Sequence, residues 1–139
     1  MWFSYALLSA FFAAVTAILA KVGVEKINSN LAYAIRTIFV LGFAWLVVVA
    51  QKHHTEIGQL SQRTWIFLIL SGLATALSWM FYFKALQLGD VSRVAPVDKL
   101  SMVLTIVLAA LFLGEKISWQ VFFGAVLMTI GTVVIALAK

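Results

Sequence analysis

Five long apolar segments make up most of this chain, and short polar stretches separate them. The segments are predicted at about residues 2–20, 31–50, 65–88, 91–114 and 118–138. Each is close to the ~20 apolar residues that a helix needs to cross a bilayer. Their apolar residues run continuously instead of alternating, which is typical of spanning helices and not of barrel strands. The pattern therefore predicts an all-α integral membrane protein with five transmembrane helices, in one domain over residues 1–139.

The composition indicates that lipid is the main solvent of this chain. Hydrophobic residues make up 64% of the 139 residues, and charged residues only 11%. A soluble domain of this size leaves much of its surface in water and needs more charged and polar side chains than this. Met1 is followed directly by an apolar run that is too long for a signal-peptide core, so we expect the first segment to be a permanent helix.

Several function classes find no support in the residues present. The chain has no cysteine, which excludes disulfides and thiolate metal sites. His53 and His54 lie in a polar loop with no third ligand nearby, so we expect both to be solvated. The basic residues are scattered singly, which does not favour nucleic acid as a partner despite the net charge of +5. No catalytic triad, phosphate-binding glycine loop or carboxylate pair occurs in the sequence, so neither an enzyme nor a cofactor is predicted.

Besides Arg93 near the start of the fourth span, four ionisable residues fall inside the predicted spans, namely Arg36, Lys84, Asp98 and Lys99. Such groups are costly in hydrocarbon and are functional candidates by default. All four lie toward the same membrane face, where we expect a charged vestibule. Alternatively, Arg36 and Lys84 extend to the headgroups, which we favour for Lys84, whereas we favour a buried role for Arg36. Consecutive residues point about 100° apart on a helix, so Asp98 is expected to pair with Arg36 or Lys84 and not with Lys99.

Pro96 lies shortly before Asp98, and two interpretations of it remain open. Proline has no amide hydrogen, so inside a helix it leaves the carbonyl of Ser92 without its usual partner. A kink of this kind would line a cavity beside Asp98. In the other interpretation the helix begins near Pro96, since proline fits a first turn, and Asp98 is then a favourable first-turn acid.

Polar side chains also follow helical spacing on two of the spans. Ser71, Thr75, Ser78 and Tyr82 share one face of the third span, and Asp98, Ser101 and Thr105 share one face of the fourth. If the two stripes face each other, they line a polar pocket at the midplane, with Trp79 and Tyr82 as aromatic walls. The alternative is that the Ser and Thr hydroxyls hydrogen-bond to their own helices.

Small residues recur at helical spacing on three spans. They are Ser9, Ala13 and Ala17 on the first, Gly72 and Ala76 on the third, and Gly124 and Gly131 on the fifth. Such faces promote close helix contact in lipid. The sequence leaves open whether the contact lies within one chain or between two copies.

Three motifs give the chain a family resemblance. The stretches YFKALQL (82–88), LGEK (113–116) and GAVLMTIG (124–131), together with Pro96, resemble the EamA family of the drug/metabolite transporter superfamily. The resemblance covers essentially the whole chain. Most members have ten helices in two repeats of opposite orientation, so this chain is similar to one EamA-type repeat. The resemblance implies an antiparallel homodimer in the plasma (inner) membrane of a bacterium or archaeon.

The positive charges give little preference for one orientation in the membrane. Seven basic residues are expected on one face and three on the other. Without Arg36, Lys84 and Lys99, which lie within spans, the count falls to four against three. Because an excess of Lys and Arg normally marks the cytoplasmic face, a bias this weak is what insertion in both orientations requires.

The resemblance implies a secondary transporter of a small metabolite that works by alternating access. The expected substrate-binding residues are Arg36, Lys84, Asp98, Lys99, Thr75, Ser78, Trp79, Tyr82, Ser101 and Thr105. Three basic groups against one acid mildly favour an anionic or zwitterionic substrate. Two alternatives stay open: proton-coupled efflux of organic cations through Asp98, and a non-transporting membrane subunit that packs on a partner.

Overall fold

The computed structural model describes residues 1–138; Lys139, which is counted above among the basic residues, lies outside them. Within this range the regular structure is helical, and five helical segments are long and apolar enough to cross a membrane, as predicted. The elements are α1 (Trp2–Val24), α2 (Ser29–Ala50), a 3-10 helix (His53–Gln59), α3 (Gln62–Leu88), α4 (Val91–Asp98), α5 (Leu100–Leu113) and α6 (Trp119–Leu137). Together α4 and α5 form the fourth span.

Three helices extend beyond the apolar segments that predicted them. Helix α1 continues to Val24, α2 begins at Ser29 and α3 begins at Gln62. Hydropathy marks the part of a helix that suits lipid, whereas capping and hydrogen bonding set its ends. The side chain of Asn28 shows this, because its Oδ1 accepts hydrogen bonds from the backbone amides of Asn30 at 2.9 Å and Leu31 at 3.4 Å. This cap starts α2 before its apolar run.

The longest connection between spans contains the 3-10 helix. Lys52 precedes it with a left-handed φ of 61°, and Nδ1 of His53 lies 2.6 Å from Oε1 of Glu56. Both His53 and His54 are exposed. Within residues 1–138 no group of three His, Cys, Asp or Glu side chains is placed to hold a metal ion.

The chain forms two compact units, one of Leu19–Gln87 and one of Met1–Ile18 with the segment from Leu88 onward. In the first unit, burial is concentrated where α1 ends, α2 begins and α3 ends. Its buried apolar residues are Ala20, Val24, Ala32, Phe83 and Leu86. The rings of Tyr33 and Phe83 lie 6.0 Å apart between α2 and α3. The first unit is therefore packed at one end of its helices.

Side-chain hydrogen bonds close this packed end. Nζ of Lys21 donates to the carbonyl of Leu86 at 2.7 Å, and Nε2 of Gln87 donates to the carbonyls of Ile27 at 2.8 Å and Val24 at 3.4 Å. The last four carbonyls of a helix lack partners within it. Lys21 supplies a partner for one of them, and Gln87 ties the end of α3 to the connection between α1 and α2.

In the second unit, α4 packs antiparallel against α6. Nη1 of Arg93 donates to the carbonyl of Ala138 at 3.1 Å, and Oγ1 of Thr132 lies 3.5 Å from the carbonyl of Pro96. Thr132 is buried. These two contacts hold α4 to α6 at successive turns.

Gly114 ends α5 in a backbone conformation that favours glycine. Its φ is +68°, and the amide of Glu115 reaches back to the carbonyl of Ala109 at 3.3 Å. A side chain in this left-handed region clashes with the adjacent carbonyl, which glycine avoids. The glycine of the LGEK motif therefore serves as the helix C-cap.

Candidate functional site

The fourth span is interrupted at Lys99, between α4 and α5. Helix α4 begins at Val91, so Pro96 lies inside it, and the interpretation in which the helix begins near Pro96 is wrong. The physical reason is that Asp90 starts the helix earlier, because its carbonyl accepts from the amides of Arg93 and Val94. The amide of Lys99 then bonds to both the Ala95 and Pro96 carbonyls, at 3.3 and 3.1 Å. Proline cannot donate to the Ser92 carbonyl, and the helix loses its regular ladder one turn later.

Asp98 and Lys99 form an ion pair at this interruption. Nζ of Lys99 lies 3.3 Å from Oδ2 of Asp98, and their side chains are 47% and 32% exposed respectively. The expectation that these consecutive residues do not pair is wrong. It assumed a regular helix, whereas Lys99 sits outside both helices and its flexible four-carbon side chain bends back to the preceding carboxylate. Pairing of Asp98 with Arg36 or Lys84 stays a prediction.

Arg36 stacks on an aromatic ring in the first unit. Its Cζ lies 3.9 Å from the ring centroid of Trp79 and 6.0 Å from that of Phe83. A guanidinium over an indole gains about 0.5–2 kcal/mol, with the larger value away from water. Arg36 is half-buried, and Phe83 is only 2% exposed, so a buried ring anchors the stack. This geometry agrees with the favoured buried role of Arg36.

The polar stripes bond largely to their own helices. Oγ1 of Thr75 donates to the Ser71 carbonyl at 2.9 Å, and Oγ1 of Thr105 donates to the Ser101 carbonyl at 2.8 Å. Each threonine therefore directs its donor into its helix while its oxygen can still accept a hydrogen bond. Ser78 and Ser101 are exposed on their helices.

Trp79 and Tyr82, which are predicted as aromatic walls of a pocket, contact each other on α3. The rings of Trp79 and Tyr82 lie 5.4 Å apart, edge to face, and Trp79 also lies 6.0 Å from Phe83. Edge-to-face pairs stabilise by about 0.5–1.5 kcal/mol beyond their buried area. The three rings thus fix one another on the last turns of the third span.

Lys84 is exposed, and its Nζ donates to Oε1 of Gln87 at 3.2 Å. The same glutamine ties α3 to Ile27, so Lys84 belongs to the hydrogen-bonded end of the first unit. The sequence analysis missed Gln87. An amide near a helix end costs little in a membrane, so neither its position nor its polarity distinguishes it from a surface residue.

The candidate residues thus gather in two places. The first unit brings Arg36 to Trp79, and the second brings Asp98 to Lys99. A pocket shared by spans one to four stays a prediction. In the second unit, α5 and α6 border an apolar groove of about 250 Å³, lined by residues that include Val103, Ile106, Phe122 and Ala125. Its lining suits acyl chains or helix surface and not a polar solute.

Comparison with known proteins identifies relatives over nearly the whole chain. The EamA-like transporter family pattern matches residues 1–137. A protein of Sinorhizobium sp. described as an uncharacterized transporter in the cobO 3' region is 47% identical over 135 residues, which cover 97% of this chain and 96% of that protein. No solved structure matches the chain at a significant level.

Proposed function

This chain belongs to the EamA-like transporter family, and from that premise we propose that it is a secondary transporter of a small metabolite. It works by alternating access as a dimer of five-helix units, and it prefers an anionic or zwitterionic substrate. Its membrane is the plasma (inner) membrane of a bacterium or archaeon. The relative from Sinorhizobium, a bacterium, supports this location.

The interruption of the fourth span carries the proposal. A charged pair inside a spanning helix is a functional candidate by default. Broken helices are tolerated at membrane depth where they line a cavity or pack within protein, and transporters place their binding sites at such breaks. Here the break holds Asp98 and Lys99, which are partly exposed instead of enclosed by the second unit. These observations support a role for the pair in the transport pathway.

The charge balance supports the preference for anions. Lys99 neutralises Asp98 through the pair at 3.3 Å. Of the four charged candidates, Arg36 and Lys84 then remain as positive charges. A cation that binds Asp98 has to displace an ammonium group already in place. The proton-coupled efflux of organic cations through Asp98 is therefore less well supported than the transport of an anion or zwitterion.

Open small-residue faces support the dimer. A Cβ added to Gly72 or Gly131 meets no other atom within 4 Å in the part of the chain that the structure describes. Neither glycine therefore serves close helix contact within its own unit. Since small-residue faces promote contact between helices in lipid, a second copy is a suitable occupant. The weak charge bias between the two membrane faces supports insertion in opposite orientations.

Ligand stabilisation and counterflow test this function together. The purified chain is heated with a panel of carboxylates, amino acids and quaternary ammonium compounds, and stabilising compounds are then tested for counterflow in proteoliposomes. The proposal predicts stabilisation and counterflow with anionic or zwitterionic compounds. Activity with cations alone, lost in Asp98→Asn, would establish cation efflux instead. No stabilisation by any compound, with a second protein that co-purifies, would establish a non-transporting subunit.

A further inference from the structure

The contact between Arg36 and Trp79 lies well inside the two helices that form it. Arg36 follows the start of α2 at Ser29 by seven residues, and Trp79 precedes the end of α3 at Leu88 by nine. At 1.5 Å per residue, these positions lie roughly 10 and 13 Å along their helices from the nearer ends. Since the Arg36 Cζ is 3.9 Å from the Trp79 ring, the charge sits at the depth of that ring. The guanidinium therefore lies beside this ring instead of extending toward the end of its helix.

The guanidinium of Arg36 offers hydrogen-bond donors without an acceptor in its own unit. Cζ of the guanidinium lies 3.9 Å from the centre of the Trp79 ring, and a guanidinium placed over an aromatic ring can still donate its N–H groups to a further partner. Within residues 19–87, the contacts recorded for Arg36 are with the rings of Trp79 and Phe83, and no hydrogen bond from its nitrogens is recorded there. The nearest hydroxyl along its helix, that of Thr37, donates to the Tyr33 carbonyl at 2.8 Å.

The neighbouring basic residues of this unit are already engaged. Nζ of Lys21 donates to the Leu86 carbonyl and Nζ of Lys84 to Oε1 of Gln87. Arg36 is therefore a single positive charge that lies over an aromatic ring and has N–H donors available for a further partner. A charge at this depth is costly unless an opposite charge joins it. The best match is a monoanion with two in-plane acceptor atoms.

We propose that Arg36, held over the ring of Trp79, binds the carboxylate of the transported substrate. The inference rests on the proposed function and names the substrate class, a small monocarboxylate. Guanidinium and carboxylate are planar and join through two parallel N–H···O bonds. A phosphate dianion carries twice the charge that Arg36 neutralises. Trp79 acts as a positioning residue, because it fixes the plane in which the donors lie. The oxyanion chemistry is shared with lipid headgroups, so the test separates the two sources.

The test measures binding at Arg36 directly. The chain holds three arginines, Arg36, Arg63 and Arg93, so their side-chain Nε–H resonances are few and Arg36→Lys assigns one by its loss. The protein is purified in dodecyl maltoside, which has no phosphate or carboxylate group. It is then titrated with acetate, benzoate and the neutral isostere benzamide, and separately with phosphatidylglycerol. We expect a saturable shift of the Arg36 resonance with both carboxylates, and none with benzamide.

Variants separate the roles of charge, shape and ring. Arg36→Lys keeps the charge and should weaken benzoate binding by about tenfold or more, because Lys lacks the planar fork. Trp79→Phe should retain most of the binding, whereas Trp79→Leu should lose it even when the binding is compared at equal concentrations of folded protein. Arg63→Lys is the matched control, since Arg63 also lies near a ring, 5.8 Å from that of Phe67. It should bind benzoate as the unmodified chain does.

Two results would overturn the inference. One is the absence of any shift at Arg36 with acetate and benzoate. The other is a shift with phosphatidylglycerol alone, which would make Arg36 a lipid contact. Counterflow in proteoliposomes separates this failure from that of the proposed function. If the Arg36→Lys variant transports a carboxylate as fast as the unmodified chain, the proposed binding site at Arg36 is wrong and the proposed transport function is supported. If carboxylates bind at Arg36 but no compound is transported, the binding site is supported and the proposed transport function is wrong.

Discussion

Nζ of Lys99 lies 3.3 Å from Oδ2 of Asp98, at the point where the fourth span changes from α4 to α5. Asp98 is the one acidic residue within the five spans of residues 1–138. Its charge is therefore compensated locally, by the residue next to it. The pair adds no net charge to the break, so the basic residues elsewhere decide which substrates are attracted. Four predictions follow from this and from the neighbouring contacts, and a fifth concerns orientation.

The two members of the pair should respond differently to neutral substitutions. Lys99→Met leaves Asp98 as an uncompensated charge at membrane depth, so we expect uptake of an anionic substrate to fall by about tenfold or more. Asp98→Asn frees Lys99 and removes a competing negative charge, so uptake should be largely retained. Initial rates in proteoliposomes, at matched protein content, measure both. Loss of uptake in Asp98→Asn with full activity in Lys99→Met would contradict this prediction, because it would mean that Asp98 and not a basic residue attracts the substrate.

Pro96→Ala should make the helix around residue 96 more regular and should lower the transport rate. The new amide can donate to the Ser92 carbonyl, which restores the hydrogen bond that Pro96 removes from the turn before Lys99. We expect equal or higher thermal stability and an uptake rate lower by about tenfold, because a straightened helix carries Asp98 and Lys99 on different faces. Uptake unchanged by the substitution would show that the break has no part in transport.

Gln87→Leu should loosen the packed end of the first unit. The variant loses the two hydrogen bonds that Gln87 donates to the carbonyls of Ile27 and Val24, and the one that it accepts from Lys84. The Val24 carbonyl is partly buried, so it is left without a partner in a place that water reaches poorly. The expected loss of unfolding free energy is about 1–3 kcal/mol. Unfolding in a denaturing detergent series measures it. Gln59→Leu, in the exposed 3-10 helix, is the matched control and should leave stability unchanged. Equal effects of the two variants on stability would show that the hydrogen bonds of Gln87 do not stabilise the first unit.

Gly114→Ala should destabilise the end of α5. The left-handed φ of +68° costs a residue with a Cβ about 1–2 kcal/mol. Gly58→Ala is the control, because a Cβ there also meets nothing within 4 Å but the backbone φ is ordinary. The same unfolding assay compares them. A difference between the two variants close to zero would show that α5 ends without help from the glycine.

The sequence predicts the five spans well because each depends on one strong property, the length of an apolar run. It also predicts an unusual role for Arg36, since a charge in hydrocarbon needs a reason. It does not identify Trp79 as the partner, because that contact depends on how α2 and α3 approach each other. The prediction for Asp98 and Lys99 failed for a related reason. Angles on a regular helix apply only where the helix is regular, and Pro96 ends that regularity nearby.

The orientation of the chain in its membrane tests the central claim of a transporter built from two oppositely inserted copies. The chain has no cysteine, and His54 is exposed in the loop between α2 and α3, so His54→Cys places one reactive thiol on one side of each inserted copy. Sealed vesicles are treated with an impermeant maleimide before and after lysis. The account predicts comparable labelled fractions from each side. Labelling from one side alone would contradict it and would require a parallel dimer or a different partner chain.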